Sequence, residues 1–154
     1  MLTIRAASPV DAQEICELHK ASIRQLCSSA YPPEKIAAWT EPLTPDRYLP
    51  AMTQFEFFVV DEDRILGFVI LNLEGSELNA MYLHPDAVGR GIGRRLFEHA
   101  ERLARSNNVA ELRLKSTLNA VGFYEACGFS RVRETVHVNP AGVELPCVAM
   151  NKAL

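Results

Sequence analysis

The run Val88-Gly89-Arg90-Gly91-Ile92-Gly93-Arg94-Arg95 decides how the rest of the chain is read. Glycine recurs at alternate positions 89, 91 and 93, where it frees the backbone to adopt unusual dihedrals and to approach a ligand closely. Before the run, Glu77 to Leu83 reads as a strand that ends at His84-Pro85. After it, Ile92, Leu96, Ala100 and Leu103 fall on one side of a helix expected from about Gly91 to Arg105. A glycine loop that leaves a strand and opens a helix presents unpaired main-chain N–H groups at the positive end of the helix dipole, which makes an anion site. Arg90, Arg94 and Arg95 add positive charge at its rim. A Walker loop needs Lys-Ser or Lys-Thr after its last glycine, where Arg94-Arg95 stand, and G-x-G-x-x-G counted from Gly89 meets arginine at 94. Both common nucleotide fingerprints therefore fail.

Leu112 and Leu114 start another strand, so strand, loop, helix and strand form a βαβ unit. Upstream, Phe55 to Val60 and Ile65 to Leu73 are rich in β-branched and aromatic residues and are separated by the polar turn Asp61-Glu62-Asp63-Arg64, so they read as antiparallel neighbours. Leu2 to Ala6 reads as an opening strand, and Ser8-Pro9 signals the start of a helix running to about Cys27. Ala12, Ile15, Cys16, His19, Ile23, Leu26 and Cys27 make its apolar stripe, with His19 either a hydrogen-bonded core residue or a base. From Ser28 to Ala51, prolines at 32, 33, 42, 45 and 50 break the periodicity into short helical pieces such as Glu34 to Trp39. This segment reads as a lid or wall whose aromatics Tyr31, Trp39 and Tyr48 either line a substrate pocket or pack as a satellite of the core. A short helix around Asn119 to Ala126 and strands near Arg131 to Val138 and Val143 to Asn151, joined by Asn139-Pro140-Ala141-Gly142, complete a mixed α/β sheet.

The 154 residues fit a single domain, 1–154, and 48% apolar against 23% charged residues argues for a globule rather than a disordered or fibrous chain. Sixteen basic against nineteen acidic side chains, a formal charge of −3, provide no general attraction to phosphate backbones or anionic lipid, so neither nucleic acid nor membrane is an expected partner. No apolar run approaches the ~20 residues of a spanning helix and the amino terminus has no leader pattern, so the expected location is cytoplasmic. Cys16, Cys27, Cys127 and Cys147 are scattered and read as free packing thiols; they and the four histidines lack ligand spacing, and no metal is expected.

The loop also resembles the signature of the GNAT superfamily of N-acetyltransferases: Gln or Arg, two residues, Gly, any residue, then Gly or Ala, here Val88-Gly89-Arg90-Gly91-Ile92-Gly93. Glu77-Leu78-Asn79-Ala80-Met81-Tyr82-Leu83-His84-Pro85 looks like that family's fourth strand, and Asn119-Ala120-Val121-Gly122-Phe123-Tyr124-Glu125-Ala126-Cys127-Gly128-Phe129 resembles its downstream N-A-x-x-F-Y-E-x-x-G-F segment. Val88 departs from the usual Gln or Arg, which reshapes the turn more than it removes main-chain binding. The resemblance implies a mostly antiparallel mixed sheet of six to seven strands flanked by helices, splayed between strands 4 and 5.

It further implies acetyl-coenzyme A as cosubstrate. Val88, Gly89, Arg90, Gly91, Ile92, Gly93 and Arg94 would hold its pyrophosphate, Met81, Tyr82 and Leu83 would bond its pantetheine arm and acetyl carbonyl through the strand backbone, and Asn119 would contact the cofactor beyond. Direct attack by an amine needs a neutral amine, donors for the developing oxyanion and an acid for the departing thiolate. Tyr124 matches the family's acid. Strand alternation puts Glu77, Asn79, Met81 and Leu83 on one face, and Glu77 is then the candidate base acting through water, or else a solvated strand-end carboxylate. His84, before Pro85, is assigned to shaping the turn. The implied function is acetyl transfer to a primary amine of a small metabolite, a peptide or a protein, by an enzyme capable of homodimerising; the alternative is a non-catalytic or regulatory acyl-coenzyme A binding module.

Overall fold

In the computed structural model, which describes residues 1–154, strand β1 (Thr3–Ala6) leads through a 3-10 turn at Pro9–Asp11 into helix α1 (Ala12–Leu26). The junction is held by Asp11, whose carboxylate accepts the Ser8 main-chain N–H at 2.8 Å and two guanidinium bonds from Arg5 at 2.9 Å. These donors hold the Asp11 carboxyl below its usual range. Two short helices follow, α2 (Pro33–Thr40) and α3 (Leu49–Gln54), each with proline in its first turn, where the missing N–H is not needed. Next come β2 (Glu56–Asp61), β3 (Ile65–Asn72), β4 (Glu77–Leu83), α4 (Ile92–Ser106), β5 (Glu111–Thr117), α5 (Val121–Ala126), β6 (Ser130–Val138) and β7 (Glu144–Ala153).

The strands form one seven-stranded sheet in the order β1-β2-β3-β4-β5-β7-β6. Every pairing is antiparallel except β4 with β5, the two strands joined by the α4 crossover. That parallel pairing consists of a single register pair, Glu77 with Arg113, after which the strands part. A β-bulge accompanies the parting: Leu71 pairs with Leu78 but Ile70 pairs with Ala80, leaving Asn79 as the extra residue. An extra residue in one strand bends it and sharpens its twist, which carries β4 away from β5.

Apolar residues cover both faces of the sheet. On one face α4, with Ile92, Leu96 and Ala100, packs over Val69, Leu71 and Leu112. On the other, Ile15, Cys16 and Leu18 of α1 cover Phe57, Val59 and Phe68. A third cluster joins Ile23 and Cys27 to Tyr31, Ile36 and Trp39, so the proline-rich segment folds as a wall beside α1. No helix is long and apolar enough to cross a membrane.

Candidate active site

The parting of β4 and β5 opens a cleft of about 420 Å³ lined by Leu78 to Leu83 on one side and Leu114 to Thr117 on the other. Val88 and Gly93 of the glycine loop close one end, and Asn119, Phe123 and Tyr124 stand beyond β5. The main-chain N–H groups from Gly89 to Arg94 meet no protein acceptor; the first bond of α4 runs from the Arg95 N–H to the Gly91 carbonyl at 3.2 Å. A row of free donors at a helix start is the cradle that a diphosphate fits.

The three glycines serve two purposes. Gly89 (φ +84°) and Gly91 (φ +74°) lie in the left-handed region, and a Cβ on either would meet nothing within 4 Å, so glycine is needed for the turn rather than for room. At Gly93 a Cβ would stand 3.0 Å from Leu83 and 3.2 Å from Phe123, so here glycine lets α4 sit close against the cleft wall.

The arginines are less free than the sequence implies. Arg90 donates to Glu62 at 2.8 Å across the β2–β3 turn, which holds that carboxyl below its usual range, and Arg94 donates to the Ala126 carbonyl at 3.1 Å while pairing with Glu98. Of the three arginines at the rim, Arg95 alone makes no side-chain hydrogen bond or ion pair, and it is exposed. His84 Nδ1 accepts the Asp86 N–H at 3.0 Å, the turn-shaping role expected of it.

Tyr124 is buried in the cleft wall, its ring edge-on to Phe123 and Phe129. Burial pushes its phenol above the ordinary tyrosine range, so it stays protonated and able to donate. Asn119 lines the same cleft beside Cys27, whose thiol burial pushes up to about 11. Cys27 is thus a neutral wall of the cleft, a placement its spacing on the α1 stripe did not reveal.

A second cavity, of about 470 Å³, lies on the α1 side of the sheet. Tyr31, Trp39 and Tyr48 line it and are also buried in apolar clusters, Tyr31 and Trp39 in the third and Tyr48 beside α1, so they are pocket wall and core packing at once. Tyr31 is also a strut: its hydroxyl donates to the Pro146 carbonyl at 2.6 Å and accepts the Leu118 N–H at 3.1 Å, tying β7 to the end of β5. Cys147, His137 and Lys115 complete the far wall. His137 was not singled out for the site from sequence, because β6 shows no periodicity that orients it. Asn79, Ala80, Tyr82, Lys115 and Thr117 line both cavities, so the two lie against one another on either side of these β4 and β5 residues.

The bulge corrects the expected placement of Glu77. Met81 and Leu83 pack with the α4-side core, whereas Ala80 and Tyr82 pack on the α1 side. Glu77 pairs with Asn72 below the bulge, where the alternation is shifted by one, and it lines the second cavity with Asn79 and Tyr82 rather than facing the way of Met81 and Leu83. The strand therefore presents its carboxylate to one cavity and its backbone to the other.

A family model for the acetyltransferase (GNAT) domain matches residues 27–154. The chain belongs to the GNAT family of acetyltransferases. A peptidyl-lysine N-acetyltransferase, YjaB of Salmonella typhimurium, is 32% identical over 134 residues, 84% of this chain and 83% of that protein. The crystal structure of a GCN5-related N-acetyltransferase from Rhodopseudomonas palustris superposes with a TM-score of 0.91 at 25% identity, covering 99% of this chain and 95% of the other. PaiA N-acetyltransferase from Thermoplasma acidophilum, solved with coenzyme A, shares the fold with a TM-score of 0.80 at 24% identity, over 100% and 99% of the two chains. In GNAT terms the activity is acetyl transfer, with acetyl-coenzyme A as the cosubstrate.

Proposed function

We propose that this GNAT enzyme transfers an acetyl group from acetyl-coenzyme A to the side-chain amine of a peptidyl lysine. The observation that carries the reading is the adjacency of the two cavities: a cleft headed by free N–H groups shares its β4 and β5 wall with an aromatic chamber that has one carboxylate, Glu77, in its lining. Tyr48, Tyr82 and Trp39 suit the four-carbon stem of a lysine, and Glu77 is the one carboxylate in a wall that also holds the cations Arg47 and Lys115, so it is the group to which the ammonium end would turn. The relationship to the Salmonella peptidyl-lysine enzyme favours the same acceptor.

Acetyl-coenzyme A supplies an activated thioester. Gly89 to Arg94 would hold its diphosphate through main-chain N–H groups, assisted by the side chain of Asn119 further along the cleft. Met81, Tyr82 and Leu83 would bond the arm through the β4 edge that β5 leaves unpaired, aligning the carbonyl for attack. Glu77 would take a proton from the incoming ammonium through water, since only the neutral amine is a nucleophile. Tyr124, kept protonated by its surroundings, would donate to the departing thiolate.

The test is release of free thiol from acetyl-coenzyme A with three acceptors: a blocked lysine tripeptide, free lysine and n-butylamine. The tripeptide is expected to give the highest kcat/KM. Thermal stabilisation by coenzyme A with no turnover of any amine would return the chain to the binding-module alternative.

A further inference from the structure

His19 is the one place where the folded chain leaves a polar atom without an explanation. Its Nδ1 lies 2.9 Å from the Tyr48 hydroxyl, while Nε2 is shielded from solvent and is the only buried side-chain nitrogen or oxygen in the chain without a hydrogen-bond partner. Such orphans are rare in folded proteins because each costs roughly 1–3 kcal/mol. The ring is held from several sides: Tyr82 at 4.2 Å between centroids, Phe68 edge-on at 5.4 Å and Tyr48 at 5.9 Å. It lines the aromatic chamber, and Tyr82, against which it packs most closely, lines both that chamber and the cofactor cleft.

We propose that His19 is an acceptor-binding residue whose Nε2 lone pair takes an N–H of the incoming amine, with Tyr48 fixing the ring. This rests on the acetyltransferase reading above and adds to it a residue that orients the amine. The chemistry selects the tautomer. An amine ready to attack has N–H bonds to donate, so the useful imidazole carries its proton on Nδ1, donates it to the Tyr48 oxygen and leaves Nε2 as an acceptor. Burial pushes the His19 pKa down to about 3, so the ring remains neutral near pH 7 and is too weak a base to strip an ammonium; its part is orientation, while Glu77 handles the proton. Because the chamber wall closes over Nε2, the amine must displace a neighbouring ring to reach it. Tyr82, the ring nearest His19 and part of the lining of both cavities, is the one that would move.

Two substitutions separate orientation from folding. Glutamine places its terminal amide near the position of Nε2, whereas asparagine places its amide near that of Nδ1. With the blocked lysine tripeptide, His19→Asn is expected to raise KM about tenfold, equivalent to about 1.4 kcal/mol, with kcat within about threefold. His19→Gln is expected to restore KM to within about threefold of the wild type. Independently of turnover, nitrogen-15 spectra of the histidine rings in the full chain with coenzyme A should show Nε2 of His19 unprotonated and shifting as the tripeptide is added. A protonated Nε2, no shift on adding peptide, or a KM that moves equally in both variants or in neither would overturn the role of His19. If the variants do not fold, the wild-type spectra decide alone. A wild type neither stabilised by coenzyme A nor active on any amine would overturn the acetyltransferase reading as well, whereas an active wild type with KM indifferent to His19→Asn overturns this inference only.

Discussion

A histidine kept neutral inside the protein makes stability depend on pH in a way that one substitution isolates. His19 titrates near 6.5 in the unfolded chain and at about 3 in the fold, because burial penalises the imidazolium and no carboxylate offsets it. The folded pKa lies below the unfolded one, so as pH falls the unfolded chain binds the proton first. Stability is complete above about pH 6.5 and declines as the pH drops toward 3. Each unit across that window is worth about 1.4 kcal/mol, so a drop to pH 5 costs up to ~2 kcal/mol, and His19 as a whole residue is only half-buried, which lowers the expectation to about 1–2 kcal/mol. The assay is urea unfolding of wild type and His19→Gln at about pH 7.5 and about pH 5, comparing how much each loses. His99 and His137, also shifted down by burial, titrate in both proteins and cancel in the comparison. The wild type should lose about 1–2 kcal/mol more than the variant. Equal losses would show that His19 is hydrated and charged in the fold, contrary to its enclosure between Tyr82, Phe68 and Tyr48.

Tyr124→Phe should lower kcat by about 10- to 100-fold with coenzyme A affinity unchanged, measured by thiol release beside thermal stabilisation; unchanged turnover would remove it from the mechanism. Gly91→Glu places a side chain at φ +74° in open space, so the variant should fold with about 1–2 kcal/mol less stability yet lose stabilisation by coenzyme A, through the carboxylate set among the loop donors. Retained binding would contradict the cradle. Glu77→Gln should depress kcat/KM for the lysine tripeptide and flatten its rise with pH, and a profile identical to wild type would leave Glu77 as a wall residue.

Most of the architecture was readable because its signals are strongly periodic. The 3.6-residue spacing of Ile92, Leu96 and Ala100 gives α4, and the β-branched and aromatic runs either side of Asp61-Glu62-Asp63-Arg64 give the β2–β3 hairpin. The free donors of the loop could be read as well, since alternate glycines between a strand and a helix have few other uses. Contacts between distant segments could not: Arg90 looks like a free cation until the fold brings Glu62 to it, and His19 stays ambiguous until Tyr48 arrives from 29 positions away.

The bulge at Asn79 was invisible for a different reason, and it has the largest consequence for chemistry. Helices cover β4 on both faces, so Leu78, Ala80, Met81, Tyr82 and Leu83 are all apolar or aromatic, and there is no polar–apolar alternation in which a shift of phase would show. Had the alternation run unbroken, Glu77 would face α4 with Met81 and Leu83, inside a core where an ionised carboxylate has no partner. One extra residue turns it to the α1 side, into the chamber beside Tyr82 and His19. The same residue bends β4 away from β5 and frees the strand edge needed to pair with an extended ligand. A single insertion in the ladder thus accompanies the parting of the strands and turns the carboxylate to the chamber, so in the proposed mechanism the cofactor edge and the base both follow from one local departure from regular pairing.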